Sequence, residues 1–128
     1  MILLLDTSTP LCKLSLIDND RRFDEQWQAD RELAKGLLGY LTKELQKHQW
    51  VWKDITGIGV FEGPGSFTGL RIGLTVVNTV ADSQAVPIVG TRGENWQSTA
   101  LDRLSSGEDD RIVMPFYGSD AHITVPLK

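Results

Sequence analysis

Two stretches of this chain carry residue types that could do chemistry. Asp6-Thr7-Ser8 puts a carboxylate and two hydroxyls in a row at the end of an apolar run. Such a set could face a metal-bound phosphate, and the same residues are equally good turn formers. Gly63-Pro64-Gly65-Ser66-Phe67-Thr68-Gly69-Leu70-Arg71-Ile72-Gly73 packs four glycines and a proline into eleven residues. Gly63 and Gly65 permit backbone angles closed to other residues, Pro64 fixes its own φ, and Ser66 is placed to cap a following helix. A strand, a glycine turn and a helix N-terminus together can bind an anion through free backbone N–H groups. The motifs themselves differ from the known phosphate loops. Leu70-Arg71 stands where a Walker loop needs Lys-Ser/Thr, and Gly63, Gly65 and Gly69 give G-x-G-x-x-x-G rather than the dinucleotide spacing. A rigid structural turn and a phosphate cradle both remain open. Arg71 is the one basic group just inside that helix, placed to meet a carboxylate or phosphate or to sit in water.

Elsewhere the chemistry is thin. His48 and His122 have no histidine or cysteine at ligand spacing, so no metal site is expected. Ser66 is out of frame for a nucleophile elbow, and no nucleophile–base–orienter set can be assembled, so no catalytic residue is assigned. Cys12 is the only cysteine, which excludes an internal disulfide and a cysteine metal cluster. A net charge of −4 over 128 residues argues against a broad nucleic-acid surface, so RNA would be held largely by a partner. With 41% hydrophobic and 23% charged residues, the composition is that of one soluble domain. The opening Met1-Ile2-Leu3-Leu4-Leu5 lacks a basic leader and is too short to export or span, giving the expectation of a cytoplasmic protein without membrane contact.

The elements that must position these residues follow from periodicity. Ile2 to Leu5 is a continuous apolar run, the mark of a strand covered on both faces. Leu11 to Ile17 alternates, Asp18-Asn19-Asp20 reads as a hairpin turn, and Arg21 to Gln28 as a third strand. A helix from an Asp30 cap to about His48 carries Leu33, Leu37, Leu41 and Leu45 at four-residue spacing, with Ala34 and Leu38 beside them. Gly36 and Gly39 weaken it by roughly 1 kcal/mol each relative to alanine, through tolerance or because another helix approaches there. Trp50 and Trp52 are expected to seal its end against the sheet. Gly57 to Glu62 is a strand, Phe67 to Ser83 a helix, Val86 to Gly90 a strand joined by a crossover, and Thr91 to Leu104 a weaker helix. Ile112 to Tyr117 and His122 to Leu127 read as a terminal hairpin.

The helix from Phe67 is unusual. Phe67, Leu70, Leu74, Val77 and Ala81 share one side, and Gly69, Ile72, Gly73, Val76 and Val80 the adjoining one. The non-polar sector spans roughly 220°, about twice the stripe of an ordinary surface helix. One side can cover a sheet. The other needs a second cover, either the first helix or another protein, and Gly69 with Gly73 one turn apart would let a partner helix come close.

Asp6-Thr7-Ser8 closing the first strand, the three-strand opening, Lys53-Asp54-Ile55 and the Gly63–Gly73 segment together resemble the TsaB (YeaZ) family, over about residues 1 to 104. The resemblance implies an α/β fold: an actin-like (ribonuclease H-like) half-domain with a mixed sheet, ordered β-β-β-α-β-α-β-α and followed by a C-terminal hairpin. On that reading residues 1–104 form the actin-like N-terminal domain and 105–128 a hairpin remnant of a second one. It also implies a non-catalytic subunit in the synthesis of threonylcarbamoyladenosine at adenosine 37 of tRNA. Such a subunit pairs through its helices with the catalytic relative TsaD, joined by the ATPase TsaE, or with a second copy of itself, and meets tRNA only through the complex. The partner interface is then expected at Gly36, Tyr40, Gly69, Ile72, Gly73, Val76 and Val80. Asp6, Thr7, Ser8 and Arg71 are the nucleotide-proximal candidates, and Gly63, Pro64 and Gly65 the structural turn. No intrinsic cofactor is implied, with ATP or ADP only at the complex interface. Two departures bear on this. The start of the first helix reads Asp30-Arg31-Glu32-Leu33, without the histidine many family members carry there, which favours the non-catalytic role. The sequence also stops where family members continue into a second lobe, although an actin-like cleft uses both lobes. The competing classes are an actin-like ATP-dependent phosphotransferase and a glycoprotease-like enzyme.

Overall fold

The computed structural model describes residues 1–118. Five strands make one sheet: β1 (Ile2–Asp6), β2 (Leu11–Asp18), β3 (Arg21–Gln28), β4 (Gly57–Phe61) and β5 (Ile88–Thr91), in the order β3-β2-β1-β4-β5. The first three pair antiparallel, and β1, β4 and β5 run parallel. The central position of β1 explains its unbroken apolar run. Leu3 and Leu5 enter the core on one face with Leu14 and Leu16 of β2, and Ile2 and Leu4 pack on the other with Val89.

Helices α1 (Leu33–Lys47) and α2 (Phe67–Gln84) cover the first face. The four leucines of α1 at four-residue spacing are all buried, as are Leu70, Leu74, Val77 and Ala81 of α2. α3 (Trp96–Ser105) covers the second face through Ala100, Leu101 and Leu104. Gly59 of β4 lets it come close, since a Cβ there would lie 2.8 Å from that of Ala100. The β4–α2–β5 crossover and the three-strand opening are as the periodicity predicts. Trp50 packs edge-on to Phe23 of β3 with ring centroids 6.0 Å apart, closing the end of α1, while the Trp52 indole N–H reaches back to the Thr42 hydroxyl at 3.1 Å. No helix among the described residues is long and apolar enough to cross a membrane.

Three expectations are corrected. Asp30 does not cap α1. It takes φ 50°, starts a 3-10 turn (Asp30–Glu32), and its carboxylate accepts from the Gln28 amide at 2.8 Å. The third helix begins at Trp96 rather than Thr91, because Thr91 completes β5 opposite Phe61 and its hydroxyl donates to the Trp96 carbonyl at 2.7 Å. Ile112 to Tyr117 forms no strand. The Asn78 side chain brackets Val113, accepting from its N–H and donating to its carbonyl at 2.9 Å each, and Phe116 N–H donates to the Glu62 carbonyl at 2.8 Å. Those backbone groups are thereby taken by the body of the domain instead of a hairpin partner. The second expected arm, His122 to Leu127, lies outside the described residues.

Candidate functional site between the two helices

The turn that follows β1 buries Thr7 and is tied to the start of α2. The Asp6 carboxylate accepts from Ser8 N–H at 2.8 Å, closing a local turn, and the buried Thr7 hydroxyl donates to the Gly69 carbonyl at 2.7 Å. Ser66 N–H donates to the Ser8 carbonyl at 2.9 Å, and the Ser66 hydroxyl accepts from Gly69 N–H at 3.2 Å, capping α2. Gly63, Pro64 and Gly65 make the turn itself. Gly63 takes φ 131°, and a Cβ on Gly65 would stand 2.7 Å from the Ser8 carbonyl oxygen.

This geometry revises the role of several glycines. Side chains at Gly69 and Gly73 would run into the carbonyl and the hydroxyl of Thr7, so both glycines admit the β1 loop and not a partner helix. Gly36 is similar, since a Cβ there would lie 2.8 Å from the Trp27 ring. Tyr40 stacks on the same ring with centroids 5.0 Å apart. Gly36 and Tyr40 thus face β3 instead of a partner. Each of the four sits on an apolar side of its helix, but the neighbour on that side belongs to the same chain.

Of the expected interface, Ile72 and Val76 remain partly exposed, while Val80 is buried in the core at 8% exposure and only borders the same space. They line a furrow between α1 and α2 made of two adjoining depressions. One, of about 340 Å³, is bordered by Leu38, Trp52, Val76, Thr79, Val80 and Gln84. The other, of about 430 Å³, is bordered by Ala34, Thr68, Arg71, Ile72 and Val76. Arg71 is therefore placed at this furrow. Leu38 is 52% exposed beside it, a leucine lying outside the buried stripe of α1. That displacement from the stripe is the signal by which the sequence could have added it to the set. The furrow offers aliphatic and hydroxyl side chains with one cation at its end, a surface suited to contact.

A second cluster lies at the β3–α1 seam. Glu25, Glu44 and His48 bring one ligand atom each within 4.8 Å of one another. His48 Nε2 and Lys47 Nζ both stand 3.2 Å from the Glu25 carboxylate, and Phe23 stacks on the His48 ring at 4.0 Å. Partial burial opposes ionisation of Glu25, but the His48 and Lys47 contacts outweigh it and hold the carboxyl below its ordinary value. Histidine and cysteine spacing does not reveal this group, because its other two donors are carboxylates. The Glu44–His48 spacing of one helical turn was the available sign.

The family model "TsaD: tRNA N6-adenosine threonylcarbamoyltransferase" matches residues 27–92, about half the chain, from the end of β3 to β5. The tRNA threonylcarbamoyladenosine biosynthesis protein TsaB of Escherichia coli K12 is 31% identical over 118 residues, covering 87% of this chain and 51% of that protein. The chain belongs to the TsaB (YeaZ) family. TsaB of Buchnera aphidicola subsp. Baizongia pistaciae is 32% identical over 88 residues, covering 69% of this chain and 40% of its own length. Among solved structures, a Pseudomonas aeruginosa protein described as similar to peptidase YEAZ superposes with a TM-score of 0.67 at 30% identity, covering 71% of this chain and 42% of that one. YeaZ from the same organism gives 0.64 at 28% identity, covering 71% and 44%. The mixed α/β fold is thus that of the YeaZ proteins, actin-like in type. This TsaB-family chain spans about half the length, or less, of the curated relatives it matches.

Proposed function

We propose that this chain serves in tRNA threonylcarbamoyladenosine biosynthesis as a non-catalytic subunit that docks on a TsaD homologue through the α1–α2 furrow. Family membership supports the pathway. One observation carries the docking role: the outer side of α2 keeps Ile72 and Val76 partly exposed at a furrow shared with α1, although the inner side of the helix, Val80 included, is already buried. On this reading TsaE joins the pair, ATP or ADP binds only where the subunits meet, tRNA is held through the complex, and the setting is the cytoplasm. A phosphotransferase acting alone is less well supported, because the Asp6 carboxylate and the Thr7 hydroxyl are committed to Ser8 N–H and the Gly69 carbonyl.

The test is co-purification with a TsaD homologue, followed by a tRNA modification assay with and without the chain. Val76→Arg should leave the circular dichroism spectrum unchanged, remove the complex from size-exclusion chromatography, and abolish the chain's contribution to modification. Gly73→Arg is unsuitable, since it collides with Thr7 and would unfold the loop. Unchanged association of Val76→Arg counts against this face. ATP turnover by the isolated chain, lost on Asp6→Ala, would replace the proposal with the phosphotransferase reading.

A further inference from the structure

We propose that Glu25, Glu44 and His48 form a binding site for a divalent first-row transition-metal ion at the seam between β3 and α1. The donor set has one imidazole and two carboxylates, the mixture that zinc and its neighbours take. Its parts come from separate, rigid places. Glu25 is fixed by its register opposite Leu14, Glu44 sits in the last turns of α1, and His48 is the residue that ends that helix. Aromatic contacts hold both sides of the seam, Phe23 on the His48 ring and Trp27 on Tyr40. With bonds near 2.1 Å, neighbouring ligand atoms in a tetrahedral shell stand roughly 3.4 Å apart. His48 Nε2 and Glu25 Oε2 are 3.2 Å apart, and all three donor atoms lie within 4.8 Å, so rotation of one carboxylate completes the set.

One further observation points to a cation here. The Lys47 ammonium already bridges the carboxylates, 3.2 Å from Glu25 and 3.5 Å from Glu44, on a side chain that is 54% exposed. It marks where positive charge is drawn and can swing into water when a stronger cation arrives.

The experiment titrates the full chain with Co2+, followed by its visible absorption, and with Zn2+ against a chromophoric chelator. One saturable equivalent is expected. His48→Gln and Glu44→Gln should each weaken it at least about tenfold, and Lys47→Met should tighten it by removing the competing ammonium. Circular dichroism checks that each variant folds, and Glu44→Gln keeps the test decisive should His48→Gln misfold. No saturable uptake by either the parent or Lys47→Met overturns the proposal. So does uptake that folded His48→Gln or Glu44→Gln retains in full. All of these readings are independent of TsaD binding.

Discussion

At the level of single residues, a methyl group has opposite meanings at two glycines of the helical layer. Gly73 faces the Thr7 side chain, whose hydroxyl is fixed to the Gly69 carbonyl, whereas nothing lies within 4 Å of a Cβ built on Gly39. Gly73→Ala should therefore destabilise by about 1–3 kcal/mol through overpacking. Gly39→Ala should stabilise by about 0.5–1 kcal/mol through helix propensity. Urea unfolding of the two variants compares them directly, and equal midpoints would refute the contrast. A second residue-level expectation concerns Asp110. Burial opposes its ionisation, yet the Arg103 guanidinium and the Gly90 N–H outweigh burial and hold the carboxyl below its ordinary 3.8. The unfolded chain then takes up this proton more readily than the folded one. The stabilisation is complete above the ordinary carboxyl range and is lost as pH falls through the lowered value. Asp110→Asn should lose about 1–2 kcal/mol at pH 7, at the modest end because the pair is partly exposed. Denaturation curves from pH 7 to pH 3 should show its gap from the parent closing with acid.

At the level of elements, α2 shows what periodicity can and cannot reveal. Its broad non-polar sector was legible because a 100° rotation per residue sorts Leu70, Leu74 and Val77 from Ile72, Val76 and Val80 without any coordinates. Which neighbour each side meets was not legible. Gly69 and Gly73 lie on the adjoining side in the sequence wheel, yet they touch the loop after β1, a segment some sixty residues earlier whose approach no local pattern encodes. The same limit applies on α1, where Gly36 and Tyr40 face Trp27. The furrow separates two adjacent leucines that a sequence treats alike. Leu37 is fully buried, while Leu38 is 52% exposed beside the furrow. Leu37→Ala should cost about 2–5 kcal/mol, the ordinary range for emptying a leucine site in a core. Leu38→Glu should stay within about 0.5 kcal/mol of the parent and still abolish capture by a TsaD homologue in a pull-down. Retained capture would move the docking surface elsewhere.

At the level of the whole molecule, the antiparallel opening and the crossover could be anticipated, because alternating strands and a β–α–β unit leave few topologies. The course of the chain after α3 could not. Its bonds join single side chains and isolated backbone groups to distant backbone groups, and they leave no periodic trace. Asp109 and Asp110 take the outward N–H groups of Ile88 and Gly90 at 3.1 and 2.9 Å, and Arg103 donates to the Gly90 carbonyl at 3.0 Å. The free edge of β5 is thus closed by side chains and by the Asp110 N–H, which donates to the Ile88 carbonyl at 2.8 Å, and this keeps it from pairing with another sheet. Asn78 of α2 then grips Val113 through both of its backbone groups, and Phe116 reaches the end of β4. One amide side chain therefore couples the helical layer to the segment guarding the sheet edge. Asn78→Ala should cost about 1–3 kcal/mol, because it leaves two partly buried backbone groups of Val113 without partners. Hydrogen exchange should accelerate at Val113 first, and then at Phe116, Ile88 and Gly90 as the segment lifts from the edge. If only the Val113 amide accelerates, the segment is held piece by piece. If all four accelerate together, it leaves as a unit, and the edge of β5 is protected only while Asn78 holds.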